Sequence, residues 1–318
     1  MVFKAAIIGC GNIAGGYDKK VPDSWSFTHA GAYHLCPDTA LIAVADTSPE
    51  ALKIFSDKWK VNKLYEDYRE MLGTEEINIV SLCLPTEKHF EAFKYACEKD
   101  IPAIFCEKPL SYDLKEAKEM VKLSNKRVVS VNYFRRWNPS LDQLRKEIIN
   151  GVYGNIVNIT VRYTKGIYVN SSHLLDLIRW FLGEPEKIQL IKIYDNNKDD
   201  PGVDYVVTFK NRITSYFLHV PDVEYVFIDI DILTSKGRIV IGQRGQKIEK
   251  YNRILEPYYT KFDIIKRIED FETQWRDCFT FTVKEIVECL KKGGQTSCTP
   301  EDGLRTLELC NEIISQIK

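Results

Sequence analysis

No apolar run in this 318-residue chain approaches the roughly 20 residues that a membrane-spanning helix needs, so no membrane association is expected. Met1 leads straight into a strand-like stretch, without a basic segment and cleavage site, which points to the cytoplasm. An excess of charge is also missing. Lys and Arg number 44 against 45 Asp and Glu, and the net charge of −1 gives nucleic acid no basic surface to bind. The nine cysteines contain no CxxC pair and are odd in number, which disfavours a disulfide framework and a zinc site; no metal is expected. Cys10 and Cys106 flank the motifs that carry chemistry, yet they read first as small buried thiols. The chain also lacks internal repeats, low-complexity tracts and a disordered linker.

What is present suits two domains with a substantial core in each, since 44% of residues are apolar. Residues 4–9, 41–46, 77–84, 101–106 and 128–133 read as short apolar strands. Helical stretches at 28–35, 48–59, 88–99 and 114–124 alternate with them. Ser48 is a natural N-cap followed by Pro49 at the first helical position. Such alternation predicts a doubly wound parallel sheet covered on both faces, over residues 1–132. Beyond it, 133–318 reads as an α+β domain with a large, mostly antiparallel sheet (strands 156–163, 187–194, 205–210, 214–219, 226–234 and 238–242). Its helices fall at 173–182, 271–292 and 300–317, the last capped by Thr299 and a candidate to pack back on the first domain. Asp229 and Asp231 sit two apart on a strand and read as its solvated face.

Gly9-Cys10-Gly11-Asn12-Ile13-Ala14 directly follows the first strand and fits the GxGxxA fingerprint of a dinucleotide site. Gly9 allows the tight turn, Gly11 lets the backbone approach a pyrophosphate, and Ala14 lets a helix pack closely. Asp46 ends the second strand, placed to accept from a ribose and to repel a 2′-phosphate, so NAD is favoured over NADP. It lies beyond the usual spacing because Gly15-Gly16 breaks the first helix and residues 17–27 form an inserted loop. Tyr17, Asp18 and His29 around that loop are candidates for ligand contact or for simple anchoring. Glu107-Lys108-Pro109 sets a lysine at a strand's carboxyl end, where ligands of open α/β sheets bind. A lysine desolvated there can exchange a proton with a carbinol or carbonyl, with Glu107 to hold or tune it. In Asn170-Ser171-Ser172-His173-Leu174-Leu175-Asp176, His173 and Asp176 share a helical face; proton shuttling and helix capping both remain open.

These motifs, with LPTEKHFEA at 84–92, VNYFRRWNP at 131–139, GVYGNI at 151–156 and HLLDLIRWFLGEP at 173–185, make the chain resemble the Gfo/Idh/MocA oxidoreductases over nearly its full length. The resemblance implies an N-terminal Rossmann domain and NAD(P)-dependent hydride transfer on a sugar, cyclitol or sugar-nucleotide-like substrate. It also implies a homodimer or homotetramer paired through the large sheet. By position it makes Lys108 and His173 catalytic, places Pro85, Thr86 and His89 beside the nicotinamide end, and sets Arg136 and Trp137 at the substrate cleft. Many members carry an acid four residues before the histidine, where this chain has Val169; Asn170 is the candidate replacement. That departure keeps two other readings open: an NAD(P)-binding regulator without turnover, and a redox-neutral, NAD-dependent glycoside-cleaving enzyme. Substrate choice is expected to lie with loops 163–170 and 251–263; Tyr258, Tyr259 and Trp275 read first as packing and second as candidates for sugar stacking, and Arg253 and Lys261 are candidates for a phosphate.

Overall fold

A computed structural model describes residues 2–194, 200–221, 223–256, 258 and 261–317; Tyr259 lies outside the described residues. The chain forms two compact units, one of residues 1–137 with 276–307, the other of 138–275 with 308–318.

The first unit is built on β1 (Phe3–Ile8), α1 (His29–Leu35), β2 (Thr39–Ala45), α2 (Pro49–Trp59), β3 (Lys63–Tyr65), α3 (Tyr68–Thr74), β4 (Ile79–Leu82), α4 (His89–Glu98), β5 (Ala103–Cys106), α5 (Leu114–Leu123) and β6 (Val128–Val131). All six strands pair in parallel in the order β3-β2-β1-β4-β5-β6. Every residue of β4, β5 and β6 is buried, as strands covered on both faces must be, and their uninterrupted apolar runs follow from that. Because the chain leaves β1 in one direction and returns on the other side through β4, a crevice opens at the carboxyl ends of those two strands.

Local chemistry fixes the helix starts. Ser48 Oγ accepts from the Ala51 N–H, with Pro49 following it at the first helical position. The helix expected after the glycine fingerprint is a single turn, Asn12–Gly16. A Cβ on Gly15 would come within 2.7 Å of Phe55, so close packing on α2 falls to Gly15. Buried Asp18 organises the inserted loop: its carboxylate accepts from Ser26 Oγ (2.7 Å), Thr28 Oγ1 (2.6 Å) and the Phe27 N–H (3.1 Å). Lys58 adds bonds to the carbonyls of Gly15 and Asp18. Thr28 Oγ1 in turn accepts from the Gly31 N–H and caps α1.

The second unit holds α6 (Pro139–Ile149), β7 (Ile156–Tyr163), α7 (Ser172–Leu182), β8 (Pro185–Ile193), β9 (Val203–Phe209), β10 (Thr214–His219), β11 (Ile228–Thr234), β12 (Gly237–Gly242), β13 (Lys247–Leu255) and β14 (Asp263–Glu272). Eight strands run in the order β14-β13-β12-β11-β7-β10-β9-β8, antiparallel throughout except for the parallel pair β7 and β10. In β11 and β12 buried and half-buried residues alternate. Asp231 meets Arg238 in two hydrogen bonds and Asp229 lies 3.7 Å from Arg162, so both acids belong to the sheet's polar face.

Two readings of this half of the chain need correction. The helix expected over 271–292 starts only at Cys278, as α8 (Cys278–Lys292), because 263–272 is a strand. Within the expected loop 251–263, residues 251–255 finish β13 and Asp263 opens β14. Residues 276–307 fold with the first unit although they lie far past residue 133: Phe279, Val283, Ile286 and Val287 of α8 join the core under the parallel sheet. α9 (Pro300–Ile314) follows a reciprocal cap in which the Thr299 N–H meets Asp302 and the Asp302 N–H meets Thr299 Oγ1.

Candidate active site

The crevice at the β1 and β4 ends is a cleft of about 450 Å³, lined by Ile8, Gly9, Gly11, Ala45, Asp46, Thr47, Glu66, Tyr68, Cys83, Leu84 and Pro85. Gly9 adopts φ +93°, and a Cβ there would stand 2.6 Å from the Cys83 carbonyl, so only glycine lets the turn pass over β4. Gly11 and Asn12 are exposed at the mouth, and a Cβ on Gly11 would meet nothing within 4 Å. Half-buried Ile13 faces the core. Asp46 accepts from the Cys10 N–H (2.7 Å) and the Ser48 N–H (2.9 Å), one on each carboxylate oxygen. The acid thus ties the glycine turn to the end of β2 while bordering the cleft. Burial, reinforced by Asp46, pushes the Cys10 thiol up to about 12, so it is not a nucleophile at neutral pH. Burial also raises Cys106, which donates to the Glu107 carbonyl. None of the nine cysteines is in a disulfide.

Three strands away from Asp46, β5 delivers Glu107 and Lys108 to the same edge. The Glu107 side chain is only 13% exposed. Its Oε1 receives His29 Nε2 at 2.9 Å and Asn132 Nδ2 at 2.5 Å, and its Oε2 lies 3.4 Å from the Lys108 N–H. Burial works to raise the pKa of this carboxyl, but donation from His29 and Asn132 and the charge of Lys108 outweigh it and leave it below the usual range. His29 is fully buried; its Nδ1 meets Ser81 Oγ (2.9 Å), which meets the Tyr33 hydroxyl (2.7 Å). His29 and Asp18 therefore anchor, while Tyr17 is exposed. His89, expected beside a cofactor, is buried with its ring nitrogens 2.9 Å from the carbonyls of Pro109 and Leu84. It braces the segments on either side of Pro85, which lines the cleft, and Thr86, which opens the turn Thr86–Lys88. Burial holds its pKa below the usual histidine value despite those carbonyls.

Arg136 and Trp137, expected at a substrate cleft, are buried instead. Arg136 pairs with Asp302 (3.1 Å) and donates to the Ser297 carbonyl, and the Trp137 indole donates to Glu285 (2.6 Å). Both fasten the returning segment to the first unit.

In the second unit, His173 is the one residue of 172–179 that keeps partial exposure on α7. Capping does not explain its surroundings: Ser171 Oγ pairs with the Tyr205 hydroxyl and Ser172 Oγ donates to the Tyr168 carbonyl, because a turn over Ile167–Ser171 runs directly into the helix. Asp176 is buried and ion-paired with Arg179, which also reaches Glu184. Asn170 Nδ2 donates to the Thr164 carbonyl (2.8 Å), so its amide pins the turn. An acid unforeseen in the sequence does reach this turn: Asp200 accepts from the N–H groups of Gly166 (3.0 Å) and Tyr168 (2.6 Å). Nothing in the sequence marks that long-range pairing. Among the described residues, no group of three or more His, Cys, Asp or Glu side chains is placed to hold a metal ion, and no helix is long and apolar enough to cross a membrane.

Comparison with known families agrees with this geometry. The profile for the oxidoreductase family's NAD-binding Rossmann fold matches residues 3–133, and that for its C-terminal α/β domain matches 145–318. The chain belongs to the Gfo/Idh/MocA oxidoreductase family. Myo-inositol 2-dehydrogenase of Thermotoga maritima is 27% identical to this Gfo/Idh/MocA member over 88% of this chain and 90% of its own. D-glucoside 3-dehydrogenase of Escherichia coli is 28% identical, over 57% of this chain and 54% of its own. Among solved structures, levoglucosan dehydrogenase in complex with NADH and levoglucosan superposes with a TM-score of 0.82 at 16% identity, covering 99% and 97% of the two chains; at that identity the likeness is one of fold.

As a family member with an NAD-binding Rossmann fold, the protein offers Asp46 for a direct test. Replacing Asp46→Asn keeps an acceptor for the Cys10 N–H and removes the charge. NAD+ affinity measured by calorimetry should fall by about tenfold, the weight of one charge-assisted hydrogen bond, while discrimination against NADP+ shrinks. An unchanged ratio of the two affinities would show that Asp46 does not read the ribose.

Proposed function

We propose that this oxidoreductase is an NAD-dependent dehydrogenase of a sugar, cyclitol or related polyol, with Lys108 as its proton-exchanging group and His173 orienting the substrate. The observation that carries the reading is the placement of Lys108 at the carboxyl end of β5, on the sheet edge that also presents Gly9, Gly11 and Asp46, and next to a carboxylate held in place by buried donors. The cleft suits a dinucleotide: an open approach over Gly11, a turn at Gly9 that tolerates no side chain, and an acid where a ribose hydroxyl would donate. Bound NAD+ supplies the hydride acceptor. In the oxidative direction neutral Lys108 takes the hydroxyl proton as the carbinol C–H leaves as hydride and the carbon becomes a carbonyl; in reduction the ammonium returns it. His173 is partly exposed on an otherwise buried helix start, and an imidazole suits the orienting of a hydroxyl. Relatives named for dehydrogenation of inositol and of a glucoside support the polyol class and weigh against a silent regulator or a redox-neutral enzyme.

Lys108→Ala is expected to bind NAD+ as the parent does and to lose at least about 100-fold in kcat on whichever polyol the parent oxidises. Turnover close to normal would remove Lys108 from the chemistry.

We also assign the protein to the cytoplasm, where nine cysteines outside any disulfide stay reduced, and propose that copies pair through the large sheet. Edge strand β14 is exposed at all but one position and displays Ile264, Ile265 and Ile268 to solvent, an edge that a lone subunit would leave open to pairing. Sedimentation should report a dimer or tetramer, and the double substitution Ile264→Lys with Ile268→Lys should shift it toward monomer. A monomeric parent would overturn the assignment.

A further inference from the structure

We propose that His29 is a positioning residue for Lys108: held rigidly in the core, it donates to Glu107 and so fixes a carboxylate's orientation and charge beside the reactive lysine. The inference rests on the role given to Lys108 above.

Three observations converge on His29. Its ring packs against Phe105, 4.2 Å away, and Phe279, 5.5 Å away, with no exposure to water. It hangs at the start of α1, directly after the inserted loop that Asp18 ties down, so the loop's anchor sets where the ring enters the wall. Its two nitrogens are both used, on Ser81 and Glu107. In the direction Tyr33 to Ser81 to His29 to Glu107, each hydroxyl donates once and the ring donates from Nε2, so a single tautomer satisfies the whole chain.

Other titratable groups border Glu107. Cys83 and Cys106 are thiols raised by burial first and by Glu107 next, and hence uncharged. His89 is lowered by burial and spent on backbone carbonyls. Asn132 contributes a neutral donor to the same oxygen as His29. The negative charge of Glu107, held in place by His29 and Asn132, therefore acts on Lys108. A carboxylate beside a lysine favours its ammonium form, so losing that charge lowers the lysine pKa. A histidine that served only packing would leave the lysine unmoved when replaced by a residue that still fills the space.

Competitive acetylation with trace acetic anhydride across a pH series, read by mass spectrometry, gives the apparent pKa of Lys108 in the full-length protein without any substrate. Glu107→Gln, which removes the charge, and His29→Leu, which releases the carboxylate from its fixed orientation, are each expected to lower it, and His29→Gln, which keeps a donor, to hold it near the parent value. Should His29→Leu fail to fold, His29→Asn, too short to reach Glu107, supplies the comparison. NAD+ affinity equal to the parent's certifies the fold of each variant. An unmoved Lys108 pKa in a folded His29→Leu or His29→Asn protein would overturn the positioning role and leave the Lys108→Ala result standing. Normal turnover in Lys108→Ala would instead remove the lysine's catalytic role and leave the labelling result intact.

Discussion

A carboxylate with little access to water must be given donors, and Glu107 sets the terms for much of the first unit. Its oxygens draw in His29 from the end of an inserted loop and Asn132 from the end of β6, while Ser81 of β4 holds the far side of the histidine. Three strand ends and one loop thus converge on one acid. The lysine that follows it in sequence inherits a backbone fixed by the core of the sheet. That is the preorganisation the proton-transfer role proposed for Lys108 requires.

The parallel sheet explains why the residues proposed for the site share an edge. Parallel strands all finish at the same side, so Gly9, Asp46, Pro85 and Lys108 emerge there although 99 positions of sequence separate the first from the last. Several residues with chemical character turn out to serve the scaffold instead: His89 braces two backbone carbonyls, Arg136 and Trp137 clamp the segment that returns at 276–307, and Asp176 neutralises Arg179. In the second unit, Asp200 and Asn170 shape the turn that leads into the helix of His173.

Much of the fold was legible from periodicity. Fully apolar runs gave the parallel strands because both of their faces are covered, and the alternation in residues 228–234 gave a strand with one wet face. What escaped has physical reasons. β3 is three residues long, too short to show a period. β14 is exposed on both faces, so no alternation marks it, and its Ile and Lys content blurred into the helix that follows. α6 announced itself through Asn138, whose side chain accepts from the Ser140 and Leu141 N–H groups, and Pro139, a signal hidden inside a motif read for its chemistry. Of the proposed site, the glycine turn, Asp46 and Lys108 could be picked out because their motifs are local. The pairing of His29 with Glu107, 78 positions apart, and of Asp200 with the turn at 166–168 is set by tertiary packing and leaves no local trace.

The central claim is that this fold transfers hydride between NAD and a polyol. It is tested most directly by titrating the purified protein with NAD+ and then following reduced nicotinamide across a panel of cyclitols, sugars and sugar nucleotides. The account predicts saturable NAD+ binding and reduction driven by at least one polyol. Bound NAD+ with no reduction anywhere in the panel, or no binding at all, would contradict it.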